Sequence, residues 1–232
     1  MSNLAVIPAR GGSKRIPRKN IKDFLGKPII AYTIEAAIKS KLFDEIIVST
    51  DDLEIKEIAL KYGAKVPFLR SKKASDDFAT TYDVILEVLN EYKNAQTQFD
   101  YVCCMYPCAP FLSHSKIEES FKKIQENNFD CVFPIVPYSF PVQRALKVKN
   151  NKVSFFFSEF QNTRSQDLEP SYHDAGQLYW ANIKQLEINK TLFTYNTGYV
   201  LVSELEAQDI DNEVDWKIAE IKYKLILDGV SR

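Results

Sequence analysis

Residues 4–22 read LAVIPARGGSKRIPRKNIK. Four apolar residues and a proline run into two adjacent glycines and six cations: Arg10, Lys14, Arg15, Arg18, Lys19 and Lys22. No acid appears before Asp23. The stretch 4–8 has the look of a strand, and similar runs follow at 45–49, 65–69, 100–106 and 130–136. Helical patterns lie between them, at 28–40, 52–62, 79–94 and 114–127. In the third, Tyr82, Ile85, Leu86, Leu89 and Tyr92 recur at helical spacing and predict one buried face. Strands alternating with helices, the strands themselves apolar throughout, predict a parallel sheet covered on both faces. Such sheets bind ligands beyond the carboxyl ends of their strands. The loop 10–22 leaves the carboxyl end of the first strand, where a ligand is expected.

Working outward, the pattern changes after the fifth strand. Residues 137–175 carry five aromatics between 155 and 172 and little helical periodicity. They read as an inserted segment of strands and loops, a lid or a dimer-forming arm. The aromatic run Phe155, Phe156, Phe157 and Phe160 suits a dimer contact or an internal core equally. Strands resume at 177–181 and 198–202, and a last helix from about 213 to 228 has Val214, Ile218, Ile221 and Leu225 on one face. The expected organisation is a single domain over 1–232 with one insertion.

Thirty cations face thirty-one anions among 232 residues, and 45% of residues are hydrophobic. That balance suits a sizeable core and argues against a general nucleic-acid binder, which carries more positive charge. The cations at 10–22 are a local feature. The N-terminus shows no signal-peptide pattern and no apolar run of about 18 residues exists, so the expected setting is cytoplasmic, away from membranes. Cys103, Cys104 and Cys108 cluster in one strand-like run with Cys131 apart, which is no disulfide framework. A zinc site of Cys104, Cys108 and His114 fits no common spacing, and buried reduced thiols are the better reading.

A polyphosphate needs donors on several sides and a backbone that can come close. Gly11 and Gly12 permit that approach to main-chain N–H groups. Arg10 can grip two oxygens with its planar fork, while Lys19 acts as a point charge. Neither G-x-x-x-x-G-K-[ST] nor G-x-G-x-x-G is present, so a plain basic loop and a nucleic-acid patch stay open on these residues alone. The acidic counterpart is QDIDNEVDW at 208–216. On an extended segment Asp209 and Asp211 point the same way, so both can reach one Mg²⁺. Asn212 reads as a helix N-cap with Asp215 three residues on, which accounts for Asp215 without chemistry. Cations for phosphates and carboxylates for a metal together suit phosphoryl or nucleotidyl transfer, which depends on positioning and charge stabilisation. A glycosyltransferase also uses such a metal pair. No Ser/His/Asp arrangement competes, the only histidines being His114 and His173.

IPARGGSKRIPRKN at 7–20 resembles the first motif of the CMP-sialic acid synthetase family, cytidylyltransferases that activate nine-carbon acidic sugars. Further matches follow in the family's order over nearly the whole chain: Arg70 with SKKASDD, YPCAP at 106–110, TRSQDLEPSYHDAG at 163–176 and DIDNEVDWKIAE at 209–220. Tyr106 stands where the family usually has glutamine, Ser165 where it has arginine, and DAGQLYW at 174–180 differs from the sialate form. These departures resemble the pseudaminic acid branch, with sialic and legionaminic acid as the rival substrates. The resemblance implies a nucleotide-diphospho-sugar-transferase fold, Rossmann-like with a mainly parallel sheet, and a homodimer whose inserted segment helps cover the neighbour's site. It implies that CTP is held by Arg10, Gly11, Gly12, Ser13, Lys19, Asn20 and Arg70, and Mg²⁺ by Asp209 and Asp211. Arg10, Lys19 and Asp211 would carry catalysis. Tyr106, Arg144, Arg164, Gln166, Tyr172 and Gln177 would meet the sugar, Arg164 and Arg144 facing its carboxylate. Lys14, Arg15, Arg18 and Lys22 would at most steer anions.

Overall fold

The computed structural model describes residues 1–76 and 78–230. Asp77, the last residue of SKKASDD, lies outside them. The strands are β1 (Asn3–Pro8), β2 (Asp23–Phe24), β3 (Lys27–Pro28), β4 (Glu45–Ser49), β5 (Tyr101–Met105), β6 (Cys131–Pro137), β7 (Leu146–Lys149), β8 (Lys152–Phe155), β9 (Tyr172–Asp174), β10 (Leu178–Asn182) and β11 (Thr197–Leu201). The α-helices are α1 (Ile29–Ser40), α2 (Leu53–Lys61), α3 (Thr81–Asn94), α4 (His114–Glu126), α5 (Ile183–Asn189) and α6 (Glu213–Leu227). The main sheet runs β11-β6-β10-β5-β1-β4, with β9 paired to the far half of β6.

Side chains alternate along β1 and β5 to opposite faces, and both faces are covered. Ala5, Ile7 and Cys103 pack against Ile30, Ile34, Ile55, Ile117 and Phe121 of α1, α2 and α4. Leu4, Val6 and Cys104 pack against Ile85 and Val88 of α3 and Leu186 of α5. Burial on both sides is why these strands are apolar from Leu4 through Pro8 and from Tyr101 through Met105, while Asn3 at the start of β1 donates to the Leu42 carbonyl (2.8 Å). The buried face of α3 is the expected one with Val84 and Val88 added; Leu86 lies outside it.

The structure corrects one of these expectations and refines two. The run at 65–69 is no strand: a single bridge joins Lys65 to Ile47, and Pro67 lacks the donor that a longer ladder needs. The sheet is mixed, because β10 lies antiparallel between β5 and β6, with Leu178 opposite Met105 and Trp180 opposite Val132. The aromatic run at 155–160 is not an internal core, since Phe156 and Phe157 are exposed.

The inserted segment is a β7–β8 hairpin between short 3₁₀ turns. Leu146 pairs with Phe155 and Val148 with Val153, so one face of the hairpin is apolar. Helix α6 docks through Trp216 and Ala219 onto Ile16, Phe24, Ile29 and Tyr32. The Val214, Ile218, Ile221 and Leu225 face points to solvent.

Candidate active site

The sheet's carboxyl edge gathers the loop after β1, the turn after β4 and the segment after β5. Ala9 N–H donates to the Ser49 carbonyl (2.9 Å), and Tyr106 N–H to that of Gln177 (2.8 Å). Asp52 caps α2, accepting from Ile55 N–H (3.0 Å). Its carboxylate also takes both Nη atoms of Arg18, at 2.5 and 2.9 Å. The Arg18 pairing, helped by Ile55 N–H, holds that carboxyl at about 2 against burial's opposite pull. Arg18 sits at a φ of 55°. Gly11 lies against this anchor. A Cβ there would stand 2.7 Å from Asp52 Oδ2, while one on Gly12 meets open space. The Gly11 N–H donates to Asp51 Oδ1 (2.9 Å).

Among the described residues, Arg18, Lys22 and Arg15 of the loop pair with acids. Arg18 serves Asp52 and Glu54, Lys22 serves Glu213 (2.7 Å), and Arg15 reaches Asp211 (2.6 Å). Lys19 differs: its Nζ donates to the Ile210 carbonyl at 2.7 Å, joining the loop to the DxD segment across 191 residues of sequence. Asn20 is buried, donating to the Arg10 carbonyl (2.9 Å) and accepting from Cys108 Sγ (3.3 Å). Arg10 reaches the Asp76 carbonyl (3.1 Å), and Ser13 N–H closes a turn onto the Gly11 carbonyl (3.0 Å). Arg70 is buried, its Nε on Ser49 Oγ (3.0 Å) and an Nη on the Ser49 carbonyl, so it braces the end of β4. Burial lowers its pKa.

Asp209 and Asp211 flank Ile210, which is 2% exposed in the α6 cluster. Burying that side chain is worth about 1.5–3 kcal/mol and turns both neighbouring carboxylates toward solvent. Asp215 Oδ2 accepts from Asp211 N–H (2.9 Å) and Asn212 N–H (3.0 Å), the expected capping box. Among the described residues no three acidic, imidazole or thiol groups gather as a closed metal site. Two outward carboxylates fit a hard divalent cation that completes its shell with water and phosphate oxygens. The zinc alternative finds no such cluster, and burial pushes Cys104 and Cys108 up to about 12.

Beside Asp209 opens a cleft of about 560 Å³, lined by Tyr106, Asp174, Tyr179, Glu204 and Lys222 among others. Tyr179 donates to Asp174 Oδ2, and Tyr106 Oη bonds Thr81 Oγ1 (3.1 Å). Burial raises the pKa of both phenols, so both stay protonated. Gln177 is buried behind the cleft, its Nε2 on the Glu206 carbonyl (2.5 Å).

Of the predicted residues, Arg10, Gly11, Ser13, Lys19, Asn20, Arg70, Asp209 and Asp211 come together through these bonds, with Tyr106 and Gln177 alongside. Arg144, Arg164, Gln166 and Tyr172 do not line the cleft. Arg164 pairs with Asp167 (2.8 Å) and Arg144 with Ser165 Oγ (3.3 Å), all exposed on the inserted segment. Asp51, Asp52, Asp174, Tyr179 and Lys222 were not legible as site residues. Asp52 alone left a signal, an N-cap residue opening a helical run.

The architecture, a mixed sheet with helices on both faces, is the nucleotide-diphospho-sugar transferase fold. A solved structure of CMP:2-keto-3-deoxy-manno-octonic acid synthetase complexed with CTP superposes with a TM-score of 0.71 at 18% identity, over 98% of this chain and 100% of that one. The Cytidylyltransferase family model matches residues 4–210, and the chain belongs to that family. It is 44% identical over 97% of both chains to a pseudaminic acid cytidylyltransferase of Campylobacter jejuni subsp. jejuni serotype O:23/36. It is 34% identical over 95% of both to a CMP-N,N'-diacetyllegionaminic acid synthase of Legionella pneumophila.

Proposed function

We propose that the protein transfers CMP from CTP to the anomeric hydroxyl of pseudaminic acid, or a close nine-carbon acidic sugar, releasing pyrophosphate. The carrying observation is the Lys19–Ile210 bond, which joins the cationic loop to the carboxylate pair at the mouth of a cleft. The 44% identity to a pseudaminic acid cytidylyltransferase favours that sugar over the legionaminate relative at 34%.

In this reading Arg10, Ser13 and Lys19, with the Gly11–Gly12 backbone, hold the triphosphate, and Asn20 and Arg70 keep the loop and the β4 turn in place around it. Mg²⁺ on Asp209 and Asp211 supplies charge neutralisation at the phosphates. The sugar hydroxyl attacks the α-phosphorus, the bond to the β-phosphate oxygen breaks, and the hydroxyl proton is released. Lys19 stabilises charge on the leaving pyrophosphate. Tyr106 and Gln177 line or back the sugar cleft.

The protein acts as a homodimer in this proposal. The hairpin's exposed apolar face supports it, and Arg144, Arg164, Gln166 and Tyr172 would then meet the sugar in the neighbour's cleft. CTP as donor, together with four free cysteines, suits a cytoplasmic setting.

The test incubates the protein with CTP, Mg²⁺ and pseudaminic, legionaminic or sialic acid in turn, following pyrophosphate. Release with pseudaminic acid is expected. Release with sialic acid alone overturns the sugar, and release with none overturns the reaction.

A further inference from the structure

The cleft beside Asp209 poses a charge problem for an acidic substrate. Three carboxylates line it: Asp174, Glu204 and Asp209. A metal on Asp209 would be engaged with phosphate. Asp174 is held as an acceptor by Tyr179 Oη and by the Gly176 N–H (2.8 Å). A sugar carboxylate turned toward these groups meets like charge. The two arginines of the inserted segment do not line the cleft.

Lys222 is the one Lys or Arg side chain lining it, among the described residues. It rises from α6, and its Nζ donates to the carbonyls of Glu204 and Ala207, both at 2.8 Å. No carboxylate lies within ion-pairing distance of it among the described residues. An ammonium has three donors, and two carbonyls use two of them. The remaining N–H has no anionic partner in direct contact, and the Glu204 carboxylate acts on the charge only from farther off. Partial burial works against the charged form of this lysine, so an arriving anion gains a partner already stripped of part of its water. The two carbonyl bonds also fix Nζ in place before the ligand arrives.

We propose that Lys222 receives the carboxylate of the acidic sugar and thereby orients it, its acceptor-seeking N–H and O–H groups facing Asp174. This rests on the acidic-sugar reading above. It places a carboxylate contact on the C-terminal helix of the same chain, beside the groups that the neighbour's inserted segment would bring in the proposed dimer.

Steady-state pyrophosphate release with Lys222→Met, which keeps the apolar stem, tests it. A charged hydrogen bond of this kind predicts a rise in KM for the sugar of roughly 10- to 100-fold. The KM for CTP should stay within about twofold of wild type. The sharper measurement replaces the sugar carboxylate by its amide. Wild type should lose most of its kcat/KM on the amide, and Lys222→Met should lose little more, since the partner is already gone. Equal losses on the amide in both proteins overturn the contact, as does a CTP KM that rises as much as the sugar KM. Lys222→Arg, which keeps the charge but moves it, is expected to raise the sugar KM several-fold at constant CTP KM. It carries the test should Lys222→Met fail to fold, and an unchanged sugar KM in it overturns the proposal. Failure of the parent reading looks different: wild type then releases no pyrophosphate with any sugar acid.

Discussion

The six cations behind β1 have separate fates, and the fates predict separate phenotypes. Lys22 is held by Glu213 and lies over the Trp216 ring, 4.7 Å from its centroid. Lys19 alone reaches the DxD backbone. Lys19→Ala should lower kcat/KM by roughly 100- to 1,000-fold, the cost of losing a group that stabilises developing charge. Lys22→Ala should change it less than about threefold, because it removes an exposed pair. Equal effects in the pyrophosphate assay would return both to a plain basic loop. Arg15 adds a third case. Its bond to Asp211 competes with any cation for the same carboxylate. An exposed pair is worth up to about 1 kcal/mol, so Arg15→Ala should lower the Mg²⁺ concentration for half-maximal turnover by up to about fivefold. Asp211→Asn should abolish Mg²⁺-dependent turnover with an unchanged thermal melt. A metal titration against initial rate reads both. These distinctions were only half legible. Charge and glycine spacing, being local, pointed to the loop as a candidate phosphate cradle. Which cation pairs with which acid depends on the starts of α2 and α6, whose Asp52 and Glu213 lie 34 and 191 residues from Arg18 and Lys22.

At the scale of elements, the loop is shaped by the first turn of α2. Asp52 caps that helix, clamps Arg18 and forms the wall against Gly11. Because its folded pKa, about 2, lies below its ordinary 3.8, it stabilises the fold above pH 4. That contribution fades as pH falls from about 4 to about 2. The unscreened difference is about 2.5 kcal/mol. Arg18 is 38% exposed, which cuts it to about 1 kcal/mol. Urea denaturation of Asp52→Asn should show a loss of about 1 kcal/mol at pH 7 that vanishes near pH 2. Gly11→Ala drives a methyl into Asp52 and should destabilise by about 1–2 kcal/mol, while Gly12→Ala should leave stability unchanged. The helices and parallel strands followed from their periods, since a strand buried twice must be apolar throughout. The antiparallel course of β10 did not, because direction is set by neighbours and not by period. The face of α6 was misleading in another way: its apolar row was visible, but only packing shows that Trp216 and Ala219 take the core side.

For the whole molecule, the decisive feature is the β7–β8 hairpin. Its outer face presents Lys147, Lys149 and Lys152, and its other face Leu146, Val148, Val153 and Phe155. On that apolar face Val148 is 73% exposed and Val153 65%. A two-stranded hairpin is marginal in water, and one with an uncovered apolar face loses the burial that would hold it. In the homodimer proposed above, a second copy of the chain supplies the cover, as part of the roughly 1,600 Å² that a stable interface buries. Light scattering at micromolar concentration should give about twice the 26.7 kDa of one chain. Val148→Lys with Val153→Lys puts two cations on the apolar face at a directly paired position, where like charges repel. This variant should sediment as a monomer with an intact sheet by circular dichroism. If the inserted segment completes the neighbour's sugar site, the same variant should bind CTP normally yet lose most turnover. Mixing it with Lys19→Ala chains should then restore none. A monomer with full activity would confine the site to one chain and leave Arg144 and Arg164 without a sugar to meet.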